Sequence, residues 1–588
     1  MFNKYYQEEL AFLRELGAEF ARANPAAAPF LAERGADPDV ERLLEGFAFL
    51  AGRLRQKLDD EFPELTQSLL QVLWPHYLRP VPAMTIVQFE PLPNRLREPQ
   101  LIPRGTELEA TPVEETSCRF RTCFDVQMLP LTLGSAAIET PAGTVGTLRL
   151  GFRLSAGGWI EEHGLDRLRL FIHGDPVNAF SIYLHLTRKV KQIVVRPSGG
   201  STGGPQLTLP PDSIQSAGFE DNEALLPYPA NAFPGYRLLQ EYFALPQKFL
   251  FLELTGLGGL ARLGGGQAFD VICEFSEPPD AELRLSPDNL RLHCAPVANL
   301  FSAQSDPIRA DHERVEHTVR AEGFEPAHAE VFSVDRAVGW ARGTAEEREL
   351  PSFASFRHEP SDPKGNGTIY FDTRLRESVL GRGVDTSVSF VTPSGESTLP
   401  PTETVVLDLT CTNRDLPSKL SVGDVSKPTS TSPQFARFSN ITPVTPTLNP
   451  PLGSGLHWRL ISNMALNYVS LTDVDTFRAL LSTYNYKALH DRNAAREHEL
   501  RMAAITRIRS YADEHFHRGA PIRGTRIEID VNERNFAGEG EMVLFGSVIH
   551  HFLSLYCTLN SFVRLVLRGT EEGEVYSWSP VIGQQAKI

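Results

Sequence analysis

The apolar residues of this chain keep a helical spacing as far as Pro80-Val81-Pro82 and mostly a spacing of two beyond it. The two spacings suit different backbones, because a helix returns a side chain to one face every third or fourth residue and a strand every second. Tyr6, Leu10, Leu13 and Phe20 share one helical face, with Leu16 beside them, and Asn24-Pro25 closes the stretch. Asp37-Pro38 then offers an N-cap and a first-turn proline. Val40, Leu43, Leu44, Phe47, Leu50, Ala51, Leu54 and Leu58 follow as a broad apolar stripe. A third helix is predicted from Pro63, carrying Leu65, Leu69, Leu70 and Leu73 and stopped by Trp74-Pro75. Asp59-Asp60-Glu61 caps the turn before it.

After Pro82 strands dominate. Residues 147–155, 168–172 and 269–275 alternate or run apolar, and 178–187 is an inserted helix. Glycine- and proline-rich joints fall at 198–205 and 256–266. From 302 to 450 the chain is polar, with strands predicted at 386–392 and 404–411; residues 417–451, dense in Ser, Thr and Pro, form a long ordered connection or a boundary. The last part starts near Trp458. It has a strand at 525–531 and a long buried helix over 541–568, with Leu544, Val548, Phe552, Leu555, Leu559 and Phe562 stacked. The expected fold is α+β and multi-domain: an N-terminal helical region (1–82), a β-rich domain with inserted helices (83–301), a polar loop- and strand-rich domain (302–450) and a C-terminal α+β domain with an α/β portion (451–588).

Charge excludes some functions. Lys and Arg number 57 against 73 Asp and Glu, a net −16, which disfavours broad nucleic-acid binding. The basic run Arg188-Lys189-Val190-Lys191 reads as a solvated strand edge. The most apolar stretches, 249–263 and 542–556, are interrupted by Glu253 and Arg262 and by His550 and His551, so no membrane insertion is predicted. Glu8 and Glu9 stand where a signal peptide needs an apolar core. Cysteines at 118, 123, 273, 294, 411 and 557 form no CxxC pair and are expected to be buried thiols of a reducing cytosol.

A search for chemistry returns little. Gly256-Leu257-Gly258-Gly259-Leu260-Ala261 fits a loose dinucleotide fingerprint, but the following Leu263-Gly264-Gly265-Gly266 prevents the helix that such a site needs, so a turn is expected. His550-His551, His515 with His517, and His490 with His498 lack the companions of a metal set. Cys118 and Cys123 flank a strand-like segment, and Asp59-Asp60 and Asp473 with Asp475 are carboxylate pairs of a kind that any acidic chain contains. No catalytic residue, cofactor site or metal ligand is predicted. The contrasting reading is a cytosolic carbohydrate-active enzyme with β-sandwich modules, which requires a deep pocket with convergent, perturbed ionisable groups.

Longer strings point to a family. Tyr5-Tyr6-Gln7-Glu8-Glu9-Leu10-Ala11-Phe12-Leu13-Arg14-Glu15, Asp37-Pro38-Asp39-Val40-Glu41-Arg42-Leu43-Leu44-Glu45-Gly46-Phe47 and Pro75-His76-Tyr77-Leu78-Arg79-Pro80 resemble the type VI secretion baseplate subunit TssF, also called ImpG or VasA. So do Cys118-Arg119-Phe120-Arg121-Thr122, Gly235-Tyr236-Arg237-Leu238-Leu239-Gln240-Glu241-Tyr242-Phe243, Asn299-Leu300-Phe301 and Cys411-Thr412-Asn413-Arg414-Asp415-Leu416-Pro417. The resemblance implies a structural wedge component of a contractile, phage-tail-like injection machine. Two copies would join one TssG, contact TssE, TssK and the VgrG spike hub, and work in the cytoplasm in a baseplate docked to an inner-membrane complex. The apolar helical positions expected to meet a partner chain are Tyr6, Leu10, Leu13, Leu43, Phe47, Leu50 and Leu54.

Overall fold

The computed structural model describes residues 2–583 apart from 24–37, 60–62, 93–94, 142–144, 156–159, 200–203, 230–231, 264–265, 281, 311–313, 342–346, 355–368, 379–382, 392–402, 453–459, 461–471, 518 and 559. The chain divides into two compact units, 1–78 with 451–465, and 79–450 with 466–588. It is α+β, as expected.

The first unit is helical: α1 (Phe2–Ala23), α2 (Pro38–Asp59) and α3 (Pro63–Leu73), then a 3₁₀ turn, Pro75–Leu78. Pro38 and Pro63 each sit at a first helical position, where the missing N–H costs nothing. The expected helix ends at Asn24-Pro25 and the acidic turn at Asp60-Glu61 lie outside the described residues.

The second unit is built on antiparallel sheets. One has six strands in the order Lys427–Pro428, Glu107–Glu109, Arg119–Thr122, Cys294–Ala298, Met84–Pro91 and Ala436–Asn440. Both of its edges come from the Ser/Thr/Pro-rich stretch, which is therefore an ordered connection running back across this sheet. Thr147–Leu154, Ala268–Phe275 and Val190–Pro197 pair in a second sheet, and Arg167–Ile172 pairs with Phe251–Thr255 in a third. Helix α4 (Pro176–Arg188) starts at the Asp175 N-cap, whose carboxylate accepts from the amides of Val177 and Asn178. Glu403–Thr412 lies between Phe301–Gln304 and Glu330–Ala341, and shares the core of Val388, Phe390, Val405, Leu407 and Leu409 with the sheet of Val384–Val391.

Helix α5 (Pro234–Ala244) ties these sheets to the C-terminal elements α6 (Val474–Thr483), α7 (Lys487–His490), α8 (Arg492–Ala504) and α9 (Glu539–Ser554). Tyr236 stacks on Tyr484 at 4.7 Å and its hydroxyl accepts from that of Tyr556 at 2.9 Å. Tyr242 meets Phe545, and Phe243 meets His498 edge-on. On the same helix Glu241 is fully buried, accepts from the amides of Leu225 (2.8 Å) and Leu226 (3.0 Å), and pairs with the buried ammonium of Lys248.

Two sequence expectations are corrected. The helix predicted over 541–568 ends at Ser554, and Phe562–Gly569 is a strand lying parallel to Ala520–Val531, with α9 as the crossover. Asn560, at φ +65°, turns the chain between them. Buried parallel strands are apolar on both faces, so Phe562-Val563-Arg564-Leu565-Val566-Leu567 continued the helical spacing by coincidence. The basic run is no solvated edge either. Arg188 closes α4 with its guanidinium 4.3 Å from the Trp578 ring, and Lys189 pairs with Glu277 (3.7 Å) and Glu539 (3.6 Å).

Replacing Glu241 with Ala strands a buried cation and two amides, so the change lowers stability by about 3–5 kcal/mol. Lys248→Met costs less, because the two amides still hold the carboxylate. Urea midpoints followed by tryptophan fluorescence order the two variants.

Candidate assembly surfaces

Helices α1 and α2 lie antiparallel. Arg14 pairs with Glu41, while at the other end a Cβ added to Gly52 would sit 3.2 Å from the Tyr6 amide nitrogen. So tight an approach favours glycine. Leu10 and Ala48 are buried in this seam, and Arg55 donates to Glu9 across it at 2.7 Å.

At about 100° per residue, Leu43, Phe47 and Leu50 fall on the half of α2 turned away from Ala48. They are 74%, 62% and 61% exposed. Helix α1 carries a second exposed row, Phe12, Leu16 and Phe20, at steps of four. Monomeric surfaces tolerate single apolar residues, but a repeated row on a helix face marks a contact surface. Of the residues expected to meet a partner, Leu43, Phe47 and Leu50 are brought together and exposed. Leu10 is in the seam, Tyr6 and Leu13 are half-buried, and the Leu54 side chain lies outside the description. Phe12 was missed; the signal was there, since 11–20 places apolar residues on two faces of one helix.

The charged groups of the larger cavity pair with one another. A cavity of about 260 Å³ is lined by Arg167, Arg169, Glu223, Glu253 and His293, among others. Arg169 pairs with Glu223 at 2.7 Å and lies over the Phe124 ring, and Arg167 faces Glu253 at 3.7 Å. His293 uses Nε2 to accept from the Leu129 amide at 3.1 Å. Gly256 takes φ +81° and leads into a 3₁₀ turn, Leu257–Arg262, so the glycine string is a turn and presents no α-helix start. His490 and His498 sit on different helices; His498 Nε2 meets the Ser482 hydroxyl at 2.8 Å, and His490 meets the Asn449 carbonyl. No metal-holding group of three His, Cys, Asp or Glu occurs among the described residues.

Three of the strings that carry the resemblance converge. Asn299 donates to the Asn413 amide oxygen (2.8 Å) and to the Arg119 carbonyl (2.7 Å), and its own oxygen accepts from the Asn413 backbone at 2.7 Å. The Arg119 amide donates to Asn413 at 3.0 Å, and the guanidinium lies over the rings of Phe301 and Phe324. Both asparagines are fully buried. This clasp fastens the six-stranded sheet to the strand Glu403–Thr412, which makes those strings structural.

All six thiols are buried, and burial pushes Cys118, Cys273 and Cys411 up to about 12 and Cys123 and Cys557 up to about 11. Thiolate is the reacting form, so maleimide mass labelling of the native protein adds nothing, whereas denatured protein takes up six labels. Burial also holds His293, His498 and His551 down at about 4, against an ordinary 6.5. Between those values the unfolded chain binds protons that the native chain refuses. Stability is therefore complete above pH 6.5 and falls as pH drops towards 4. Melting temperatures read across this window fall on acidification, and His551→Phe, which keeps the stacking on Phe219 (4.0 Å), flattens the slope.

A family model described as type VI secretion system, TssF, matches residues 1–585. The chain is 33% identical to the type VI secretion system component TssF1 of Pseudomonas aeruginosa strain PAO1, over 100% of this chain and 99% of that one. A chain of the TssK–TssF–TssG baseplate subcomplex, solved by cryo-electron microscopy, superposes with a TM-score of 0.74 at 29% identity, covering 93% of this chain and 99% of its own. A chain of the type VI secretion baseplate complex gives 0.64 at 26% identity over 100% of both. With the family pattern spanning almost every residue and the fold shared along the whole length, the chain belongs to the TssF family of the type VI secretion system.

Proposed function

We propose that this protein is a non-enzymatic wedge component of the type VI secretion baseplate, which acts by holding partner subunits in place. The relatives it superposes on are baseplate chains, one of them from a complex with TssK and TssG, and the same two proteins are the partners proposed here. TssE, the VgrG hub and a second copy of this chain complete the assembly that the family resemblance implies, at two copies for each TssG. Its place is the cytoplasm, in a baseplate docked to the inner-membrane complex. No helix among the described residues is long and apolar enough to cross a membrane.

The observation that carries this reading is the row Leu43, Phe47 and Leu50 on the face of α2 turned away from α1. Keeping three large side chains in water is unfavourable, and covering them recovers about 1.5–3 kcal/mol each. A helix from another subunit is a natural cover, because its own ridges fit between residues spaced by three and four. Substitution on an exposed face leaves the folded chain intact, so binding and folding separate cleanly.

Leu43→Asp combined with Phe47→Asp is expected to abolish co-purification of TssG from cells expressing both chains. The loss corresponds to about 10²–10⁴ in affinity, while the circular dichroism spectrum stays that of the wild type. An intact, folded complex carrying both substitutions would remove α2 from the interface.

A further inference from the structure

A second cavity, of about 180 Å³, opens beside the start of the strand Glu330–Ala341 and that of Val384–Val391. Its lining includes Val319, Phe324 and Val331, the polar Glu330 and Thr386, and the cations Arg320 and Arg414. Glu330 is only 2% exposed, and Thr386 only 5%. One carboxylate oxygen of Glu330 accepts from the Val384 amide at 2.5 Å, but Oε2 has no hydrogen-bond partner, and neither has the Thr386 hydroxyl. Two buried polar atoms without partners, both lining one cavity, are uncommon, because each leaves a desolvation cost unrecovered.

The neighbouring cation does not close the gap. Arg414 gives Nη2 to Asp385 at 2.7 Å and Nε to the Ala329 carbonyl at 2.8 Å. Burial pushes the Glu330 carboxyl up to about 7 although the Val384 amide and the Arg414 charge work the other way, and a donor cation in direct contact with Oε2 would favour its ionised form. Gly383 keeps the rim open: at φ +86°, a side chain there would crowd Glu330 Oε1 and Arg414 Nη1.

The geometry points to a binding site for a primary alkylammonium, the chemical group at the end of a lysine side chain. The cavity is smaller than the roughly 300–1,000 Å³ of ordinary ligand pockets, which excludes nucleotides and sugars. Its apolar walls suit a methylene stem, as lysine stems lie along apolar surface while the head finds polar partners. A compact head with three donors can satisfy Glu330 Oε2 and the Thr386 hydroxyl together, which a planar guanidinium fork does less well. The inference stands on this cavity and does not depend on the assembly role proposed above.

The probe is n-butylammonium, added to the purified full-length chain and followed by saturation-transfer NMR. Saturable binding is expected. It should weaken at least about tenfold in Glu330→Gln, which removes the charge-assisted hydrogen bond and keeps the shape. Thr386→Val should weaken it less, and keeps the test open if the first variant folds poorly. n-Butanol, with the stem but no charge, should not compete. Absence of saturable binding, as for a cavity that holds only water, would overturn the site. So would equal binding by the wild type and Glu330→Gln, or effective competition by n-butanol.

Discussion

A carboxylate taken wholly out of water has to be met by donors on every side, and Glu241 is met in that way. The amides of Leu225 and Leu226 and the Lys248 ammonium converge on it from different parts of the chain. Because each of these donors recovers part of its desolvation, the pair favours one arrangement of α5 against the β-rich body. The aromatic contacts follow from that placement. With α5 held, Tyr236 reaches Tyr484 and Tyr556, and Tyr242 reaches Phe545, so that α6 and α9 pack on a helix whose position is already determined. One short helix thus joins the sheets to the C-terminal elements, and the charge at its centre makes its register strict.

The Asn299–Asn413 clasp serves the same purpose between sheets. Asparagine has both donors and acceptors on a short side chain, so two of them can satisfy each other and two backbone strands at once. Here they bind the Arg119 strand at the point where the chain leaves one sheet for the next. The strands Lys427–Pro428 and Ala436–Asn440 return to opposite edges of the six-stranded sheet, so that both edges are occupied by late segments of the chain.

Much of this was legible in the sequence. The period switch at Pro82 separated the helices before it from the β-rich chain after it, although the first strand there, Met84–Pro91, was not singled out. The alternation over 147–155 and the strand expected at 404–411 fall on Thr147–Leu154 and Glu403–Thr412, and prolines marked the starts of α2 and α3, while α4 begins two residues before the 178 expected for it. The failure at Phe562 has a physical cause: a strand buried on both faces has no period, so its spacing borrows that of the preceding helix. The misreading of Arg188 has another. A guanidinium that stacks on a distant Trp578 ring is indistinguishable in sequence from one in water. The strings around Arg119, Asn299 and Asn413 were recognisable as a family pattern, yet their mutual hydrogen bonds span nearly three hundred residues and no local spacing encodes them. For the candidate surface, the apolar row of α2 was visible, but which half of it faces α1 depends on Gly52 and Ala48, small residues that an apolar count passes over.

Small residues on one side and large ones on the other give α2 its particular character. Had Leu or Phe stood at 48 and 52, the helices could not approach so closely, and Leu43, Phe47 and Leu50 would be a poor substitute because they lie on the wrong half of the helix. A helix that reserved its large apolar residues for its own core would place them against α1. This one packs Leu10 against a seam of glycine, alanine and ion pairs such as Arg14–Glu41, and leaves Leu43, Phe47 and Leu50 exposed. The hairpin is held internally by close backbone approach and paired charge, so its apolar area remains available for association.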